Sequence, residues 1–252
     1  MTAQVQLFFL VFMRISAFFM ISPGFSFKGM PNLMKIILSG GVTLPVYIVI
    51  SKILPEWTMS QFAVLAVKEI LFGSAIGFIT QLFFTAVDIA GSFVDYQVGF
   101  SMAEVFDPSW GMSSSYFGKV YYWIAMAIFF LTDIHHLFIR ALVYSFDAVP
   151  VSVLLLGDFE VEGILKLFVL MFEMSLKLAA PFMISAILTE IVLGVLSRTV
   201  PQINVLILSM PLKVLIAILL MLVFLPTLIG NIGDIFPEMI RYSNQFIQSF
   251  SS

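Results

Sequence analysis

Long apolar stretches separated by short polar ones set the pattern of this chain. Runs dominated by apolar side chains cover residues 5–21, 36–54, 62–87, 120–131, 137–156, 164–188 and 205–229. Several come near the roughly 20 residues a helix needs to cross a bilayer core, so about six helical passes are expected. The run at 120–131 is too short to cross alone, and with 137–156 it is expected to form a hairpin that turns within the membrane or within an assembly. Prolines punctuate the pattern. Pro23, Pro31, Pro55, Pro108, Pro150, Pro201 and Pro237 mark segment edges, because proline has no backbone donor to continue a helix. Pro45, Pro181, Pro211 and Pro226 fall inside or near spans and are expected to kink them, freeing carbonyls that neighbouring protein must satisfy. No internal repeat and no linker divides the chain, which is therefore read as a single all-α membrane domain over 1–252, its helices packed in a multi-subunit assembly.

Composition strengthens the membrane reading. Hydrophobic residues make up 61% of the 252 residues and mean hydropathy is +1.09, against roughly 45–50% apolar residues in a soluble domain. Charged residues, at 11%, are too few to cover a soluble surface without large exposed apolar patches. A net charge of −3 with no run of Lys or Arg removes the electrostatic footprint of a nucleic-acid binder. Cysteine is absent, so disulfides, thiolate metal sites and thiol nucleophiles are excluded. The first 21 residues have no basic residue ahead of their apolar run and carry Arg14 inside it, which predicts a retained helix rather than a cleaved leader. Loop charge sets no orientation, since Lys28 and Lys35 in one loop are nearly matched by scattered charges elsewhere.

Ionisable residues stand where a membrane helix should have none. Arg14, Lys68, Glu69, Arg140, Asp147, Glu173, Lys177 and Lys213 all lie within apolar segments. A charge at the bilayer centre costs about 2.5–3.5 kcal/mol even on the lenient insertion scale, so they cannot all face lipid. Glu173 and Lys177, four apart on one helix, can pair locally. The others have no partner nearby in sequence. Either they face a bundle interior or aqueous path, or their segments pack against other subunits, and the second is the expectation carried forward. Gly73 and Gly77 form a Gly-x-x-x-Gly step that lets backbones approach closely, with Glu69 one turn earlier on the same face. That contact lies either within the chain or between subunits.

Candidate chemistry is sparse. His135 and His136, which follow Asp133, are the chain's two histidines. Adjacent residues point to different sides of a helix, so no metal site is expected there. There is no nucleophile elbow, phosphate-cradling loop or dinucleotide fingerprint, and neither a catalytic residue nor a cofactor is expected. Asp88, Asp95 or Asp147 could supply the paired aspartates of an intramembrane protease only without any supporting motif. Residues 91–118, GSFVDYQVGFSMAEVFDPSWGMSSSYFG, are neither a good span nor a soluble domain. There Gly111, Met112, Ser113, Ser114 and Ser115 form a pliable patch flanked by Phe106, Trp110, Tyr116 and Phe117. Such a patch is either an ordinary surface loop or the filling of a pore, since methionine adapts to irregular gaps and glycine and serine let backbone move.

Several stretches then resemble one family. They are RISAFFMISPGFSFKGMP at 14–31, KEILFGSAIG at 68–77, QVGFSMAEVFDP at 97–108 and, most specifically, APFMISAILTEIVLGVLSRTVPQINVLILSMPLK at 180–213. The last block carries a proline-opened helix (Pro181), then Leu193-Gly194, Arg198, Pro201-Gln202, Asn204, Pro211 and Lys213. Across nearly its whole length the chain resembles the FliR/SctT family of flagellar and virulence-associated type III export subunits. The resemblance implies an export gate in the bacterial inner membrane, at the flagellar basal body. It also implies FliP-like and FliQ-like partners around a central conduit, an FlhB-like protein docked on it, surrounding lipid, and unfolded substrate proteins as cargo. By the same resemblance Phe106, Asp107, Pro108, Trp110, Gly111, Met112, Ser113, Ser114, Ser115 and Phe117 stand where the family's loop plugs the closed conduit. Arg14, Glu69, Gly73, Gly77, Glu190, Arg198, Pro201, Gln202 and Lys213 are the residues expected to support assembly. The competing reading is a proton-coupled carrier acting alone, with buried acids such as Glu173 and Glu190 as relays.

Overall fold

The computed structural model describes residues 2–26, 29–50, 57–100, 115–153, 161–199 and 205–250. Regular structure among them is entirely helical: α1 (Ala3–Ile21), α2 (Asn32–Ile50), α3 (Met59–Val98), α4 (Tyr116–Leu131), α5 (Ile134–Ala148), α6 (Val161–Thr199), α7 (Val205–Gly233) and α8 (Ile235–Ser249). Five helical stretches are long and apolar enough to cross a membrane, and α4 with α5 makes a sixth if that bent pair counts as one span. The fold is that of a polytopic all-α membrane protein.

Among the places where the helices depart from the hydropathy pattern, three have a reason outside it. Helix α3 runs 40 residues, on to Val98 rather than stopping near Val87, which gives it a length of about 60 Å at ~1.5 Å per residue. Its last turns read as loop in sequence because Gly91 and Asp95 interrupt the apolar run, yet both are there to meet α4. The helix ends at Gly99, whose φ of 101° suits glycine, and the amides of Gly99 and Phe100 both donate to the Asp95 carbonyl at 3.0 Å. Helix α5 stops at Ala148, ahead of Pro150, so residues 149–153 form a turn rather than more helix. Between α4 and α5 the chain bends by 72° at Thr132 and Asp133 rather than reversing as a hairpin. Pro45, Pro181, Pro211 and Pro226 lie inside continuous helices, so Pro181 does not open one.

The chain divides into two compact units, residues 1–83, 129–167 and 236–252 forming the first and residues 84–128 and 168–235 the second. In the first, α1 packs on α2 with Phe8 edge-on to Tyr47 at 5.7 Å. The Gln6 carboxamide clamps the Trp57 backbone, donating to its carbonyl at 2.9 Å and accepting from its amide at 3.2 Å. Phe25, Phe129, Phe138 and Phe236 form an aromatic cluster around the buried Phe129 ring, which fills the space against Gly24. Helix α8 has low mean hydropathy and escapes a search for greasy runs. Its buried residues Phe236, Met239, Ser243 and Ile247 nevertheless recur every three or four positions, the spacing of one helical face. Phe246 stacks on Phe72 of α3 at 5.6 Å.

In the second unit the end of α3 crosses the start of α4 so closely that a Cβ on Gly91 would collide with the Gly118 backbone. Phe182 of α6 packs against Phe117 and Tyr121 of α4, at 6.4 and 6.2 Å. Helix α7 buries Ala217, Leu228 and Ile232 but leaves Leu215, Ile218, Leu219, Leu222 and Val223 exposed.

Candidate functional site

The centre of the first unit is ionic. Arg14 and Glu69 are both fully buried and form a two-point ion pair between α1 and α3, Nε donating to Oε2 and Nη2 to Oε1. The remaining guanidinium protons go to the start and end of the α5 C-terminal turn. Nη1 donates to the Ser145 carbonyl at 2.8 Å and to its hydroxyl at 3.1 Å, and Nη2 to the Val149 carbonyl at 2.9 Å. All five donors of a guanidinium are thereby used. The rings of Phe146 and Phe72 lie 4.1 and 4.9 Å from its central carbon, within cation–π range.

Lys68 completes the cluster. Its ammonium sits 2.9 Å from Glu69 Oε1 and donates to the carbonyls of Pro150, Val151 and Val153 at 3.1, 3.3 and 2.9 Å. These carbonyls belong to the turn that follows α5, where Pro150 also accepts from the Val153 amide at 3.2 Å. One acid and two bases thus fasten three helices and the turn after α5.

Glycine makes this possible. A side chain on Gly73 would run into the Arg14 carbonyl, and one on Gly77 would press within 3.1 Å of the Phe18 carbonyl and the Ile21 side chain. The Gly-x-x-x-Gly step is therefore the α1 contact surface of α3, which resolves the two sequence alternatives in favour of a contact within the chain. The expectation that Arg14, Lys68 and Glu69 need other subunits for shelter is corrected likewise. Partners 55 and 131 positions apart in the chain supply it, a pairing that local sequence cannot reveal.

The other predicted residues fall in several places. Glu190 of α6 and Lys213 of α7 form an ion pair in the second unit, with Glu190 half exposed. Arg198 is exposed in the last turn of α6, where a positive charge complements the free carbonyls of the helix end. Ser115 caps α4, its hydroxyl accepting from the Gly118 amide at 2.7 Å and donating to the Asp95 carboxylate. Phe117, buried, donates its amide to the same carboxylate at 3.2 Å. Asp95 is thus a cap supplied from another helix, a role that sequence reasoning missed for want of any local signal. Phe106, Asp107, Pro108, Trp110, Gly111, Met112, Ser113, Ser114, Pro201 and Gln202 lie outside the described residues. The Glu173–Lys177 pair expected from spacing is present on the exposed face of α6, at 2.6 Å.

At the α4–α5 bend two adjacent histidines approach each other despite their neighbouring positions. The His135 and His136 rings lie 4.0 Å apart, and one ligand atom from each of Asp133, His135 and His136 comes within 4.8 Å of the others. Both histidines belong to the first turn of α5, where side chains lean back past the helix start towards Asp133.

Fold and site together define a class: a polytopic helical membrane protein whose ionised side chains are knitted between helices, with a buried arginine–glutamate pair at the centre of one unit. The sequence matches the family described as bacterial export proteins, family 1, over residues 5–239. The chain belongs to that family. It is 33% identical to the flagellar biosynthetic protein FliR of Bacillus subtilis (strain 168), over 91% of this chain and 90% of that protein. Identity to FliR of Escherichia coli (strain K12) is 27%, over 93% and 90%. With the secretion system apparatus protein SsaT of Salmonella typhimurium it is 29%, over 64% of this chain and 63% of that protein.

Proposed function

We propose that this chain is the FliR-like subunit of a flagellar export gate in the bacterial inner membrane. Together with FliP-like and FliQ-like subunits it forms a conduit for unfolded flagellar proteins, and an FlhB-like protein docks on that assembly. The relatives' names supply the flagellar setting. The observation that carries the reading is the ionised side chains left exposed on greasy helices: Glu173 and Lys177 on α6, and Glu190 beside a surface of exposed Ile187, Ile191 and Leu188. Hydrocarbon would penalise each such charge by about 2.5–3.5 kcal/mol, whereas protein or water would not. Those faces therefore belong against other subunits or an aqueous path. On this reading the chain is a structural component of the apparatus, with no catalytic residue and no cofactor.

Purification in mild detergent tests it. The chain should co-purify with FliP-like and FliQ-like subunits, and it should lose solubility or aggregate when expressed without them. A chain that is stable and monodisperse alone and recruits neither subunit would overturn the assignment in favour of a solitary carrier.

A further inference from the structure

We propose that Asp133, His135 and His136 form a binding site for a divalent transition-metal ion of the zinc class at the α4–α5 bend. Nothing in the export role calls for these side chains, and the inference does not rest on that role.

Their donor atoms converge. His136 Nδ1 lies 3.3 Å from Asp133 Oδ1, close to the ligand-to-ligand spacing around an ion held at about 2.0–2.2 Å by imidazole and carboxylate. The third ligand atom, from His135, falls within the 4.8 Å that encloses the set, so small side-chain rotations close the triangle. Asp133 adopts the left-handed conformation, φ 57° and ψ 17°, which turns the chain so that its carboxylate meets the two rings arriving from the first turn of α5.

A second observation points the same way. His135 Nδ1 is buried and has no hydrogen-bond partner among the described residues. A buried polar nitrogen ordinarily has one, and an imidazole lone pair left without a partner is open to a metal ion. The platform beneath is fixed: His135 lies 5.2 Å from the Phe130 ring and 6.2 Å from that of Phe129, and the latter is fully buried in the aromatic cluster of the first unit. Apolar walls of this kind limit water on one side of a metal. On the other, Asp133 and His136 are largely exposed, so an ion has access and water can complete its coordination.

Two imidazoles and one carboxylate select zinc, nickel or copper over magnesium or calcium, which favour all-oxygen sets. The partial positive charge at the start of α5 counts against a cation, but it is weak beside three such ligands. Bound metal would pin the bend by joining the residue before α5 to its first turn.

The test uses the full-length, tag-free chain with whatever subunits it carries, titrated with Zn²⁺ against a chromogenic chelator and with Cu²⁺ under electron paramagnetic resonance. One equivalent per chain is expected, with two nitrogens coupled to copper. The variants Asp133→Asn, which keeps a residue tolerant of the left-handed conformation, and His136→Gln alter exposed side chains and should leave the elution profile unchanged. Affinity should fall at least about tenfold in each. Absence of stoichiometric binding would overturn the site, as would a double variant that elutes and binds metal like the parent.

Discussion

Arg14 joins α1 to α3 and to the end of α5, and its geometry fixes what its loss should do. Breaking a buried ion pair by neutralising one partner leaves the other charged without compensation, which costs about 3–5 kcal/mol. Glu69→Gln should therefore lower the thermal stability of the detergent-solubilised chain steeply, because Arg14 and Lys68 would then share a buried site with no acid. Replacing both partners, Arg14→Leu with Glu69→Leu, removes the uncompensated charge along with the pair and should cost less than the sum of the single changes. Additive losses in that double-mutant cycle would show that the pair is not energetically coupled. Glu69 and its Gly-x-x-x-Gly step were legible in sequence as a close-contact face. Ser145 and Val149 were not, because both present backbone carbonyls that any residue carries, and only the fold aims these and the Ser145 hydroxyl at Arg14.

Among the helices, the glycines separate into two groups. Gly73, Gly77, Gly91 and Gly118 are each pressed by other atoms of this chain, whereas Gly40, Gly41, Gly194 and Gly230 face open space. A helix-interior glycine costs about 0.5–1 kcal/mol relative to alanine. Gly194→Ala should accordingly stabilise the detergent-purified protein by an amount of that order, while Gly73→Ala should destabilise it, since the obstruction is the α1 backbone. Melting temperatures of the two variants measured side by side decide the matter; equal shifts in the same direction would contradict the packing described for α1 and α3. The element boundaries follow the same logic. Helix α3 outlasts its apolar run because Gly91 and Asp95 are tailored to α4, and α8 exists because a face of Phe236, Met239 and Ile247 has a core to enter.

At the scale of the whole molecule, the exposed apolar faces of α2, α6 and α7 and the charges among them set the demand for neighbours. The plug assignment belongs here too, because a loop seals a conduit only within an assembly. Residues 101–114 carry most of the expected plug, and Ser115 is committed to capping α4. The informative deletion is therefore 111–114, which spares the cap. It should raise ion leakage through the membrane while export of flagellar proteins persists, and unchanged conductance would remove the plug role from this stretch.

Sequence by itself determined the solvent of this protein and most of its helices, because burial in lipid requires long apolar runs and proline and glycine mark their limits without reference to distant residues. It also determined that ionised groups stand in apolar segments, and the motif blocks placed the chain beside one family. Only the tertiary structure decided where those groups find their partners. Arg14 meets Glu69, Lys68 meets the carbonyls after α5, and Asp95 meets the first amides of α4 across separations that no local pattern encodes. The physical reason is common to all of them. Hydropathy is a property of each residue, whereas the satisfaction of a buried charge is a property of the atoms that the fold brings within about 3 Å of it.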